Sequence, residues 1–166
     1  MFVFLLFIPI SPQVYSDNFA LTSDELKWIE QHPDIRLGVD PGWPPFDFVN
    51  HRDQHDGIAA DYLRLLQDKL HISLQLQKNL SWSEVLEKAK NKHIDVVSLA
   101  QKTPERTQFL SFTEPVVSSP WVVISRKDSN KFTDLSDYEN SLVAMVKGYA
   151  IIEVSKQHFP KLNIQT

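Results

Sequence analysis

Gln101-Lys102-Thr103-Pro104-Glu105-Arg106 places the sharpest set of chemical groups in the chain within six residues. Threonine caps helices well and proline is tolerated at the first helical position, so Thr103-Pro104 is predicted to open a short helix. Arg106 then falls one turn in, where its planar fork matches a carboxylate bidentately. The competing reading is a surface arginine paired with Glu105 or Glu114. A second set lies in Asp40-Pro41-Gly42-Trp43-Pro44-Pro45-Phe46, an acid, an indole and a phenyl ring on a loop stiffened by proline. Asp40 either binds a ligand cation or caps the turn before Gly42. Trp43 and Phe46 either form a pocket lip or cover the core. Gly148, ahead of a predicted helix, leaves bare amides for an anion. His51, Asp53, His55 and Asp56 are metal-ligand types, but they crowd a polar turn that orders none of them, so a hairpin tip is expected and no metal. No nucleophile elbow or zinc helix motif occurs, and 4 glycines in 166 residues argue against a phosphate loop. No candidate base is visibly paired with a nucleophile.

Positioning these groups requires a core, and 42% hydrophobic with 23% charged residues is the composition of a globular chain. A net charge of −4 with interspersed signs offers no basic face for nucleic acid. The absence of cysteine excludes disulfides, thiol catalysis and cysteine-bound zinc. MFVFLLFIPI is too short to cross a bilayer and suits a signal-peptide core, with Val14-Tyr15-Ser16 as a cleavage region. No Lys or Arg precedes the run, so a truncated signal or a short membrane anchor is the alternative. Residues 1–20 are set aside from the fold on this ground.

Thr22 and Glu25 make a capping box for a helix that ends at Gln31, before His32-Pro33. Ile35 to Val39, bounded by Pro33 and Pro41, is predicted as a buried strand, and Asp47-Phe48-Val49 as a short extended piece before the polar turn Asn50 to Gly57. Ile58, Tyr62, Leu65, Leu66 and Leu70 recur at helical spacing and predict the buried face of a helix. Ile72 to Gln77 alternates like a half-buried strand. Ser81 and Glu84 form a second capping box, opening a helix whose apolar face is Trp82, Val85, Leu86 and Ala89. Ile94 to Leu99 is the third strand. Strand and helix alternate, which implies a parallel sheet covered by helices. Ligands sit beyond the carboxyl ends of such strands where strand order reverses, so the Asp40–Phe46 and Ala100–Arg106 loops converge if the first strand is central. Pro120 to Ser125 is predicted as a further strand, Arg126 to Asn130 as a linker, Leu142 to Val146 as a strand, Ala150 to His158 as a helix and Leu162 to Ile164 as the start of another strand. This last series reads as the opening of a second, truncated α/β lobe.

IRLGVDPGWPPFDF, DGIAADYLRLL and IDVVSLAQKTPERTQFLSFTEP together resemble the bacterial extracellular solute-binding proteins of family 3, and the opening LTSDELKWIEQHPDIRLGVDPGWPPF is similar to the periplasmic sensor domains of BvgS- and EvgS-like histidine kinases. The resemblance implies an α/β, periplasmic binding protein-like two-lobe clamshell of type II, its first lobe nearly complete and its second incomplete. It divides the chain into a leader over 1–20, a first lobe with hinge strand over 21–125 and the start of a second lobe over 126–166. It also implies a small polar solute, commonly an amino acid, with no cofactor and no catalysis, and a membrane receptor or permease as partner in the periplasm. By position, Trp43 matches the aromatic that packs on the ligand, Asp40 the acid before it and Arg106 the arginine that grips its carboxylate. Gln101 stands where amino-acid binders often carry Ser or Thr, Val116 where an aromatic is frequent, and Tyr149 is the second-lobe candidate. Phe46 completes the expected site. The alternative on this scaffold is an enzyme, as in cyclohexadienyl dehydratases, or the accessory domain of a lytic transglycosylase.

Overall fold

A computed structural model describes residues 21–128 and 134–166; the expected leader and part of the expected linker lie outside them. Two compact units divide between His32 and Pro33. The first contains helix α1, Ser23–Gln31, opened by the expected capping box: the Thr22 hydroxyl accepts from the Glu25 amide and the Glu25 carboxylate accepts from the Thr22 amide. His32 closes it, donating from Nδ1 to the Trp28 carbonyl at 2.7 Å with its ring stacked on the indole.

In the second unit the central element is strand β1, Ile35–Gly38. The chain then makes a small antiparallel sheet from β2, Gly42–Trp43, β3, Asp47–Val49, and β4, His55–Asp56. Helix α2, Ile58–Leu70, leads to β5, Leu74–Leu76, and helix α3, Trp82–Lys90, to β6, Val96–Val97. Strands β5 and β6 pair in parallel on either side of β1, with Leu37 opposite both Leu76 and Val96. Successive residues of a strand point to opposite faces. Leu37 and Val39 therefore pack with Leu63 of α2, while Gly38 lies against Val85 of α3 and Ile94. The sheet is covered by a helix on each face, as the alternation of elements requires.

After β6 the chain forms a 3-10 turn at Arg106–Gln108 and a second at Leu135–Tyr138. Strand β7, Leu142–Ala144, helix α4, Ala150–His158, and β8, Asn163–Gln165, complete a parallel strand-helix-strand unit.

Two expectations fail. The buried residues of α2 are Ala59, Ala60 and Leu63, while Ile58, Tyr62 and Leu65 are about half exposed or more. Close packing of a helix on a sheet admits the small methyl groups of alanine, which the spacing of large apolar residues overlooks. The strand expected at Pro120 to Ser125 has no pairing partner among the described residues, and Ile124 is 91% exposed. Its β-branched composition suits a pleated surface, but strand propensity is realised only against neighbours.

Candidate functional site

The two loops that leave the carboxyl ends of β1 and β6 meet, because β1 is central. Each is held by backbone bonds. The Asp40 carboxylate accepts from the Gly42 amide at 2.9 Å, so it does cap the turn. Further along, the Pro45 and Phe46 carbonyls accept from the Ile58 and Ala59 amides, the otherwise orphaned donors of the first turn of α2. This approach needs glycine at 57: its φ is +101°, and a Cβ there would meet both carbonyl oxygens at 2.8 Å. The second loop turns at Thr103, whose buried hydroxyl accepts from the Arg106 amide at 3.3 Å, but the helical turn begins at Arg106 with Glu105 at its N-cap position, two residues later than the expected start at Pro104.

Between these loops, the 119–124 segment and the β7–α4 unit lies a cleft of about 770 Å³, with Asp40, Trp43, Gln101, Arg106 and Tyr149 all on its wall. Five of the six expected site residues therefore converge. Phe46 does not line it. Its ring packs on Trp43 with centroids 5.1 Å apart, buttressing the indole from behind.

Arg106 is only 6% exposed. The surface pairing with Glu105 or Glu114 is not formed, and no carboxylate lies within ion-pair distance among the described residues. The guanidinium instead donates from Nη1 to the Gln101 carbonyl at 2.9 Å and from Nη2 to the Gly148 carbonyl at 2.8 Å, and it sits over the Trp82 ring at 5.5 Å. Of five N–H donors, these bonds occupy two. Burial lowers its pKa, and the Glu153 and Glu105 charges act in the opposite direction. A buried cation whose direct contacts are carbonyl dipoles and an aromatic face, with no carboxylate in ion-pair contact among the described residues, is an anion site in waiting.

Trp82, which the sequence placed only on a core face, is the residue sequence reasoning missed. Its Nε1–H donates to the same Gly148 carbonyl at 3.0 Å, so the indole and the guanidinium grip one oxygen. Gly148 is required here: its φ is +82°, and a Cβ would approach Ser83 Oγ to 2.9 Å and Trp82 to 3.2 Å. The next residue, Tyr149, is the N-cap of α4 and faces Asp40. Burial first, then the hydrogen bond and charge of Asp40, push its phenol pKa far up, so it stays a neutral hydroxyl.

The four metal-ligand types of the hairpin are separated. His51 and Asp53 stand exposed in the turn, Asp56 accepts from Asn50 and from the Gly57 amide, and His55 turns inward to Asp47.

A cleft at the carboxyl ends of a parallel sheet, with aromatic walls, one acid and one buried cation, is the architecture of a small-solute binding domain. Residues 35–163 match the model of the bacterial extracellular solute-binding proteins, family 3, and the chain belongs to that family. It is 25% identical over 147 residues to the virulence sensor protein BvgS of Bordetella pertussis, an alignment covering 89% of this chain and 12% of the sensor. The chain thus spans about an eighth of that relative's length. The crystal structure of the periplasmic domain of that sensor superposes with a TM-score of 0.76 at 25% identity, over 89% of this chain and 29% of the other. The ABC transporter arginine-binding protein 1 of Escherichia coli is 29% identical over 102 residues, 61% of this chain and 42% of the transporter protein. The fold is accordingly the periplasmic binding protein-like clamshell, and these relatives are sensor and binding proteins.

Proposed function

We propose that this domain binds a small carboxylate-bearing solute, an amino acid foremost, in the periplasm as the input of a transmembrane signalling receptor. The observation that carries the reading is Arg106: a buried guanidinium on the wall of a cleft, with three donors uncommitted and no carboxylate partner among the described residues. Isolated buried charge costs several kcal/mol, which a ligand carboxylate offsets. In this arrangement the carboxylate takes Arg106, the apolar body lies against Trp43, and Asp40 supplies the complementary charge for an ammonium or guanidinium group.

Residues 21–125 act as the first lobe with its hinge segment and 126–166 as the start of the second, and binding selects the closed state. The segment near Trp121 to Ser125 is the hinge. No catalysis is assigned to the cleft. The test is thermal shift against the twenty free amino acids and simple dicarboxylates. Arg106→Ala is expected to abolish any shift those carboxylates produce; a shift that survives the substitution would sink the role given to Arg106.

A further inference from the structure

Beneath the Asp40 loop lies a carboxylate that does not line the cleft. Asp47, on β3, is 0% exposed. Its Oδ2 accepts from the Asp40 backbone amide at 3.0 Å and from the Ser98 hydroxyl, and its Oδ1 lies 2.6 Å from His55 Nε2. These three donors come from three places: the loop after β1, the end of β6 and strand β4. We propose that Asp47, clamped by His55 and Ser98, is the positioning residue of the cleft, fixing where Asp40 stands and tying the two cleft walls to each other.

The chemistry dictates the arrangement. An ionised carboxylate only accepts, so His55 must carry its proton on Nε2 and Ser98 must direct its hydroxyl inward. Buried negative charge is tolerated only when its lone pairs are met, so each donor holds the others in place. Ser98 is itself anchored, its amide donating to the Gly38 carbonyl at 3.0 Å. Asp40 begins two residues after Gly38. Its amide is drawn down onto Asp47, its carboxylate onto the Gly42 amide, and the side chain is left facing Tyr149. Without Asp47 the Asp40 amide, in a residue 5% exposed, would have no described acceptor. His55 is thereby assigned to a buried scaffold rather than to the polar turn it adjoins.

The inference rests on the reading of Asp40 as a wall of the ligand cleft, but its test needs no ligand, so either can fail without the other. Amide hydrogen exchange is measured by NMR on the whole chain for the wild type, His55→Leu, Ser98→Ala and His55→Gln. His55→Leu and Ser98→Ala should each speed exchange at the Asp40 amide about tenfold, leaving the Gln77 and Asp95 amides, which bond to β1, unchanged. His55→Gln places an amide donor where Nε2 stood and should restore protection. Unchanged Asp40 exchange, a rise shared equally with Gln77 and Asp95, or failure of His55→Gln to rescue would overturn the proposal. If His55→Leu does not fold, Ser98→Ala carries the comparison. Imidazole nitrogen spectra of the wild type provide an independent check: a proton on Nδ1 alone would also overturn it.

Discussion

Methionine at position 106 keeps the length of the arginine stem while removing its charge, and it separates a structural cation from one retained for a ligand. The substitution loses two hydrogen bonds from a charged donor, about 1.5 to 3 kcal/mol each, and a cation–π contact of about 1 kcal/mol. Against this stands the desolvation of the guanidinium, several kcal/mol when no ion pair repays it. The acceptors left behind are not orphaned. Gln101 is an exposed residue at the surface of its loop, and Gly148 keeps the Trp82 indole. Loss and relief therefore nearly cancel, and Arg106→Met is expected to change stability by no more than about 2 kcal/mol. Arg106→Ala removes the stem as well and should cost about 2 kcal/mol more through the space it empties. Urea denaturation followed by circular dichroism at pH 7 measures both. The reasoning is refuted if Arg106→Met costs as much as Arg106→Ala, or more than about 4 kcal/mol, because the cation would then be a structural cross-link and its burial would no longer point to an anion.

Two further outcomes follow from local geometry. Gly148→Ala forces an L side chain to φ +82° with Ser83 Oγ 2.9 Å away, and should lower stability by about 1 to 3 kcal/mol in the same urea experiment; a neutral result would contradict the positive-φ turn. Glu84 has its pKa lowered from the ordinary 4.5 by its hydrogen bonds to the Ser81 side chain and backbone. A depressed folded-state pKa contributes stability that is fully present above 4.5 and lost as pH falls through the lower folded value, so Glu84→Gln should flatten the acid limb of the stability profile below that pH and a parallel limb would count against the cap.

What the sequence displayed and what it hid divide along physical lines. Both capping boxes were legible because a box is a local bond pattern four residues long, and β1 was legible because Pro33 and Pro41 bound an apolar run. The convergence of Asp40, Trp43, Gln101 and Arg106 needed one topological fact, the central place of β1, which alternation of strand and helix suggests but does not fix. Other features depend on partners distant in the chain. Asp47 reads as one more polar residue in a short strand until Ser98, 51 positions on, and His55 close over it. The double hold of Trp82 and Arg106 on Gly148 is invisible because the acceptor is backbone and carries no side-chain signature. At Pro120 to Ser125 composition indicated a strand, yet pairing is a property of two segments and none pairs with this one among the described residues.

The shared oxygen of Gly148 has a consequence for how a ligand would be received. Hydrogen-bond exchange in a buried site is slow and costly when breaking one bond strands its acceptor. Here the carbonyl has two donors, and the indole remains when the guanidinium turns away. A rotation of Nη2 away from the backbone leaves that carbonyl on the Trp82 N–H, so no dry, empty acceptor results. Trp82 thereby keeps the turn at the start of α4 moored independently of the guanidinium.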